Sequence, residues 1–201
     1  PNVVLNTIMT EELSQFADRL EKAENFQSAL QELLQETFTA HQRIIFNGNG
    51  YDDAWVTEAA RRGLANLRDT VDCMPAYIDK KNVELFTKHA VLTETEMRAR
   101  YEIHLENYCK VMTIEGNTLL DMTRRQILPA VEKFSAKLAQ DIALKKAVAP
   151  VVSGIYEITL VTRLSDLVEE IDAAVEDLAA ALAAFHKIDD VTESANMVRD
   201  V

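Results

Sequence analysis

The chain has 201 residues, 48% hydrophobic and 27% charged, which is enough to bury one sizeable core or two small ones. Five Gly and four Pro are too few for the turns of a sheet-rich protein, where usage is roughly 7% and 5%, so composition points to an all-α fold. A net charge of −12 argues against a nucleic-acid partner, because phosphate binding needs Lys and Arg to displace condensed counterions.

In chain order, Leu13, Phe16, Leu20, Ala23, Phe26, Leu30, Leu33 and Thr37 recur at steps of three and four, which predicts one amphipathic helix from about Val3 to about Thr39. The stretch "HQRIIFNGNGY" follows. Asp52 or Asp53 then caps a short helix, "AWVTEAARR", and Gly63 ends it in the left-handed conformation. "LANLRDTVDCM", up to Pro75, has no clear period and reads as a loop packed by Leu64, Leu67 and Met74. A shorter helix is expected around "AYIDKKNVELFTKH".

Thr93-Glu94-Thr95-Glu96 matches a capping box, in which the Thr hydroxyl and the Glu three residues on satisfy each other's backbone donors. Met97, Tyr101, Leu105, Tyr108, Met112, Leu119 and Met122 then share one face of a long helix, interrupted at Glu115. Pro129 lacks a backbone donor and clashes with the preceding turn, so a kink or restart is expected there. Pro150 and Gly154 mark a turn. The last long helix, roughly Ile155 to Lys187, carries Leu164, Leu167, Ile171, Val175, Leu178, Leu182 and Phe185 with coiled-coil spacing, and its alanines let a neighbouring backbone approach.

The expected architecture is an elongated antiparallel bundle of long helices with a few short ones. It divides into residues 1–46, 47–92 and 93–201, together one helical domain. From Glu157 to Val201 there are eleven carboxylates against three cations, a solvated acidic face or a partner surface. The basic run Arg124, Arg125, Lys133, Lys137, Lys145 and Lys146 is placed to face it within the bundle.

No run of about 18 apolar residues is present to span a bilayer, and no charged and apolar leader opens the chain, so a cytoplasmic protein without membrane contact is expected. Cys73 and Cys109 are far apart and outside any CxxC pair, which favours reduced thiols. The chain begins at Pro1 without Met and ends in a helical pattern with no stop signal, as a piece of a longer polypeptide would.

Candidate chemistry is sparse. A carboxylate-bridged metal pair in a bundle needs Glu-x-x-His, yet the residues three before His41, His89, His104 and His186 are Phe38, Phe86, Tyr101 and Ala183. In the group Glu102, His104, Glu106 and Cys109, offsets of two and four turn His104 away from the carboxylates, leaving surface charge. Glu115 lies on the apolar stripe beside Gly116. Either a donor meets its carboxylate or the stripe opens to water there, and a structural hydrogen bond is the favoured reading.

"GNGYDD" lacks the third glycine of a dinucleotide fingerprint and the Gly-Lys-Ser/Thr end of a phosphate loop. It reads as a turn in which Asn47, Gly48, Asn49 and Gly50 supply positive φ. Tyr51 and Trp55, one turn apart, are candidates for an aromatic subunit contact, with helix packing as the plainer use.

"HQRIIFNGNGY", "EAARRGLANLRDTVDCMP", "NVELFTKHAVLTETEMRARYEIHLENYCK" and "IDDVTESANMVRD" resemble the C-terminal region of type III glutamine synthetases, over nearly the whole chain and in the right order. "PNVVLNTIMTEELSQFADRLE" resembles the helix that follows the last catalytic strand in that family, so residues 1–46 would continue from a catalytic domain outside this sequence. The resemblance implies a ligase that joins ammonia to glutamate with ATP and Mg2+ or Mn2+ in its full-length form. The strands that bring the metal ligands and the nucleotide-binding groups are not in this sequence, so no catalytic, cofactor-binding or metal-ligating residue is carried over. The implied partners are the chain's own catalytic domain and neighbouring subunits of a ring-shaped homo-oligomer. A free-standing acidic helical interaction or regulatory module is the alternative.

Overall fold

A computed structural model describes residues 2–185, 188 and 190–200. Among the described residues there are helices and connections and no strand, so the all-α expectation holds. The chain forms two compact units, Pro1–His104 and Leu105–Val201, and the division falls inside one long helix.

The first unit contains α1 (Asn2–Leu20), α2 (Phe26–Ala40), α3 (Asp53–Arg61), α4 (Thr70–Tyr77), α5 (Lys80–Lys88) and the start of α6 (Glu94–Met122). The single helix expected from Val3 to Thr39 is therefore two. Asn25 adopts an extended conformation and its side chain accepts a 3.1 Å hydrogen bond from Ser28 N, so it breaks the run and caps α2. Arg19 rejoins the two helices through a forked contact with Glu36, at 2.5 and 3.1 Å.

The loop expected up to Pro75 is found from Leu64 to Asp69, but from Thr70 onward the segment is α4. Asp69 accepts from Asp72 N at 2.8 Å, and Val71 and Met74 are buried on one face, so capping and burial form the helix although Pro75 lies inside it. Asp79 caps α5 by accepting from Lys81 N at 3.1 Å, which places Ala76 and Tyr77 in the preceding helix. Phe86 and Met97 are buried with Val71 and Met74, and the Tyr77 ring lies 6.4 Å from that of Phe86.

Two helix ends in this unit share one device. After α3, Gly63 has φ +69, its N–H reaches Ala60 O and that of Leu64 reaches Ala59 O, both at 3.0 Å. After α5, Ala90 takes the same role at φ +53, with Val91 N reaching Phe86 O at 3.0 Å. The capping box then opens α6: Thr93 N donates to Glu96 Oε2 at 2.8 Å, and Glu96 N donates to Thr93 Oγ1 at 3.2 Å.

The second unit contains the rest of α6, a π-helical turn at Thr123–Ile127, α7 (Leu128–Val148), α8 (Ile155–Phe185) and α9 (Val191–Arg199). Backbone angles at Met122, Ile127 and Leu128 stay right-handed helical. The restart expected at Pro129 thus takes the form of a widened turn just before it, after which α7 begins at Leu128, and this relieves the clash of the Pro ring with the preceding carbonyl.

Gly154, at φ +63, closes the turn into α8. Lys145 meets Glu157 at 2.6 Å, Arg124 meets Glu176 at 2.7 Å, and Gly116 meets Leu182, so α8 runs antiparallel to α7 and the end of α6 with the pairing advancing nearly one residue for one. Two of the basic run thus face the acidic helix as expected, while Arg125 pairs with Asp121 on its own helix at 2.8 Å. These exposed pairs fix register more than stability, each contributing about 0–1 kcal/mol.

The seam on α8 differs in one position from the expected set. Val168 is half-buried and Leu167 is exposed, while Ile171, Val175, Leu178 and Leu182 pack with Leu120 of α6. Asp190 caps α9 by accepting from Glu193 N at 2.8 Å, and α9 packs on α8 with Ser194, Ala195 and Val198 buried. The expected end of the last long helix at Lys187 and the residue His186 lie outside the described residues.

Candidate functional site

The stretch from Arg43 to Arg62 is built around aromatic stacking. The Phe46 and Trp55 rings stack with centroids 4.1 Å apart and planes 27° apart. The Arg62 guanidinium lies 5.8 Å from the Phe46 ring and 5.6 Å from that of Trp55. Its Nη1 donates to Ile45 O at 2.8 Å and Arg43 O at 3.2 Å, and its Nε donates to Glu58 at 2.5 Å. One side chain thereby ties the 3-10 turn Gln42–Ile44 to α3.

Asn47, Gly48, Asn49 and Gly50 are exposed, and none has positive φ, contrary to the expectation for this turn. Gly48 is needed for a different reason: a Cβ there would stand 2.5 Å from the Phe46 ring. The ring covers that face of the turn. Asn49 accepts from Tyr51 N at 3.1 Å, an Asx turn, and Asp52 caps α3 by accepting from Ala54 N at 2.9 Å. Trp55 stacks on Phe46, whereas Tyr51 is fully exposed.

Glu115 is exposed. The buried face of α6 runs through Leu105, Met112, Gly116, Leu120 and Thr123, one position on from the expected Glu115, Leu119 and Met122. The carboxylate therefore opens to water at the rim of a groove of about 230 Å³ with Met112, Leu119, Leu178 and Phe185, in place of the expected structural hydrogen bond.

The polar clusters elsewhere make contacts between helices and within them. Glu11 of α1 receives Lys88 at 2.6 Å, His89 at 2.5 Å and Gln15 at 2.7 Å, and these donors, Lys88 foremost, pull its carboxyl down to about 2. Arg61 and Arg62 hold Glu58 down to about 2 as well. His104 stands edge-on to Tyr77, and Glu106 pairs with Lys110 at 3.0 Å. Cys109 lines a cavity of about 490 Å³ with Thr113, Phe185 and Ser194; burial pushes its thiol above the ordinary range, which disfavours a nucleophilic thiolate.

Among the described residues, no three His, Cys, Asp or Glu side chains converge to hold an ion. Nor is any helix among them long and apolar enough to cross a membrane. Arg62, Phe46 and Glu11 escaped the sequence reading because each acts through partners distant in sequence; the only local signal was the pairing of Phe46 and Trp55 with a nearby Arg.

Fold and site together define an all-α region in which some charged side chains join helices and others pair within one. The family profile described as "Glutamine synthetase C-terminal domain" matches residues 29–146, and the chain belongs to that family. It is similar to a glutamine synthetase of Butyrivibrio fibrisolvens, 45% identical over 118 residues, covering 59% of this chain and 17% of the relative. A type-3 glutamine synthetase of Dictyostelium discoideum is 29% identical over 197 residues, covering 94% of this chain and 26% of the relative. A glutamine synthetase of Bacteroides fragilis is 28% identical over 189 residues, covering 89% and 26%. The type III resemblance holds, and the chain spans about a quarter or less of the length of these curated relatives.

Proposed function

We propose that this chain is the C-terminal helical region of an ATP-dependent glutamine synthetase and serves domain packing and oligomer assembly without carrying catalytic residues. The observation that carries the reading is the alignment of 94% of the chain to 26% of a type-3 glutamine synthetase. The reaction, glutamate, ammonia and ATP to glutamine, belongs in this reading to the rest of the polypeptide, which also binds the nucleotide and the divalent ions. The polypeptide works in the cytoplasm as a ring-shaped homo-oligomer.

The chemistry of the helices supports such a division of labour. Glu11, Glu157 and Glu176 are each engaged by a Lys or Arg from another element at 2.6–2.7 Å, so these carboxylates join elements of the fold, while Glu58 is held by Arg62 at 2.5 Å within α3 and its C-cap. Native mass of the longer polypeptide, with and without these 201 residues, tests the assembly role. The reading expects the ring to fall to smaller species on removal; an unchanged ring contradicts it.

A further inference from the structure

α1 carries two apolar faces. Val4 and Ile8 line a cavity with Met74, Tyr77 and Phe86, and Thr7 and Glu11 lie on the same side, Thr7 buried and Glu11 clamped by α5. Leu5, Met9, Leu13 and Phe16 fall within a second sector of roughly 80°, on nearly the opposite side of the helix. Leu5, Met9 and Leu13 are 59%, 58% and 59% exposed. A helix apolar on two sides is one buried on two sides; within the first unit the Thr7 side is partly covered, with Val4 and Ile8 37% and 44% exposed at its edge, while the Leu5–Met9–Leu13 side lies open until Phe16, which is half-buried.

Resting on the reading that the chain is part of a longer glutamine synthetase, we infer that the Leu5–Met9–Leu13–Phe16 stripe is the surface on which the preceding part of that polypeptide docks. Two observations select this occupant over a second copy. The family profile describes a C-terminal domain and begins at residue 29, so α1 precedes it, between that domain and whatever lies upstream. The relatives also have roughly three-quarters or more of their length outside this chain, ample to cover one helix face.

The test uses the long polypeptide. A photoreactive phenylalanine analogue replaces Met9 in one sample and Thr10 in another, in protein mixed from two isotopic labels so that crosslinks within and between subunits are told apart by mass. The inference expects a crosslink from Met9 to residues upstream of Pro1 in the same subunit, absent from Thr10, which points away from the stripe. It also expects Met9→Glu to lower the melting temperature and Thr10→Glu to leave it in place. A crosslink from Met9 to a second copy, no crosslink at all, or equal melting of the two variants overturns it. Glutamine formation by the unsubstituted long polypeptide is measured in parallel. Its absence together with an upstream crosslink sinks the enzymatic reading alone, and its presence without that crosslink sinks the docking surface alone.

Discussion

The Cδ1 methyl of Leu182 on α8 lies 3.1 Å from the point where a Cβ would project from Gly116 on α6. This contact lets α8 approach α6 closely, and it sets the register in which Leu120, Val175 and Leu182 form a core. Substitution tests it directly. Gly116→Ala should change stability by less than about 1 kcal/mol, because the gain in helix propensity offsets a small displacement of Leu182. Gly116→Leu should cost about 1–3 kcal/mol through overpacking, read by urea unfolding.

Arg62 offers a second test, since it satisfies two backbone carbonyls while lying over the Phe46–Trp55 pair. Arg62→Ala should destabilise by about 1.5–3 kcal/mol, and Arg62→Lys should restore only part, because an ammonium cannot reproduce the planar fork. Trp55 is the chain's one tryptophan, so opening of the stack should shift its emission to the red. Unchanged emission and stability in Arg62→Ala would count against the tie.

At Ala90 a Cβ occupies a left-handed position that glycine fills after α3. Ala90→Gly should therefore raise stability by about 0.5–1 kcal/mol, the relief of strain exceeding the added freedom of the unfolded chain. Thermal unfolding reads the change, and a loss of stability would show that the Ala90 methyl makes a contact worth more than the strain.

Acid should loosen the clamp between α1 and α5. With Glu11 held at about 2 against an ordinary value of 4.5, the folded state binds fewer protons than the unfolded chain between those values, so stability rises with pH across that window. The contribution is complete above about pH 4.5 and is lost as pH falls through 2. Glu11→Gln should flatten part of the acid limb of a stability–pH curve, while Glu58 and the other lowered carboxylates, Glu36, Glu96 and Glu157, keep the remainder. An acid limb identical in the variant would remove Glu11 from the account.

The long helices and their caps were legible because their signals are local. Thr93 with Glu96, Asp52 before α3 and Gly63 after it all act within a few residues of sequence. What escaped was decided by geometry across the fold. Pro75 was a stop signal on paper, yet burial of Val71 and Met74 draws its segment into a helix. Steps of three and four carried past Met112 put Glu115 on the apolar stripe, whereas the buried face steps on to Gly116 and Leu120. Sequence suggests positive φ at Gly48 because the Phe46 ring that stands against it is a feature of the folded turn. Asn25 was the readable signal passed over, a capping residue within an unbroken apolar period.

The most direct measurement is ATP-dependent glutamine formation from glutamate and ammonia, comparing the long polypeptide that contains this stretch with the 201-residue chain alone. The account predicts activity in the long polypeptide and none in the separate chain. Glutamine made by the 201 residues themselves, or none made by the long polypeptide, would contradict it.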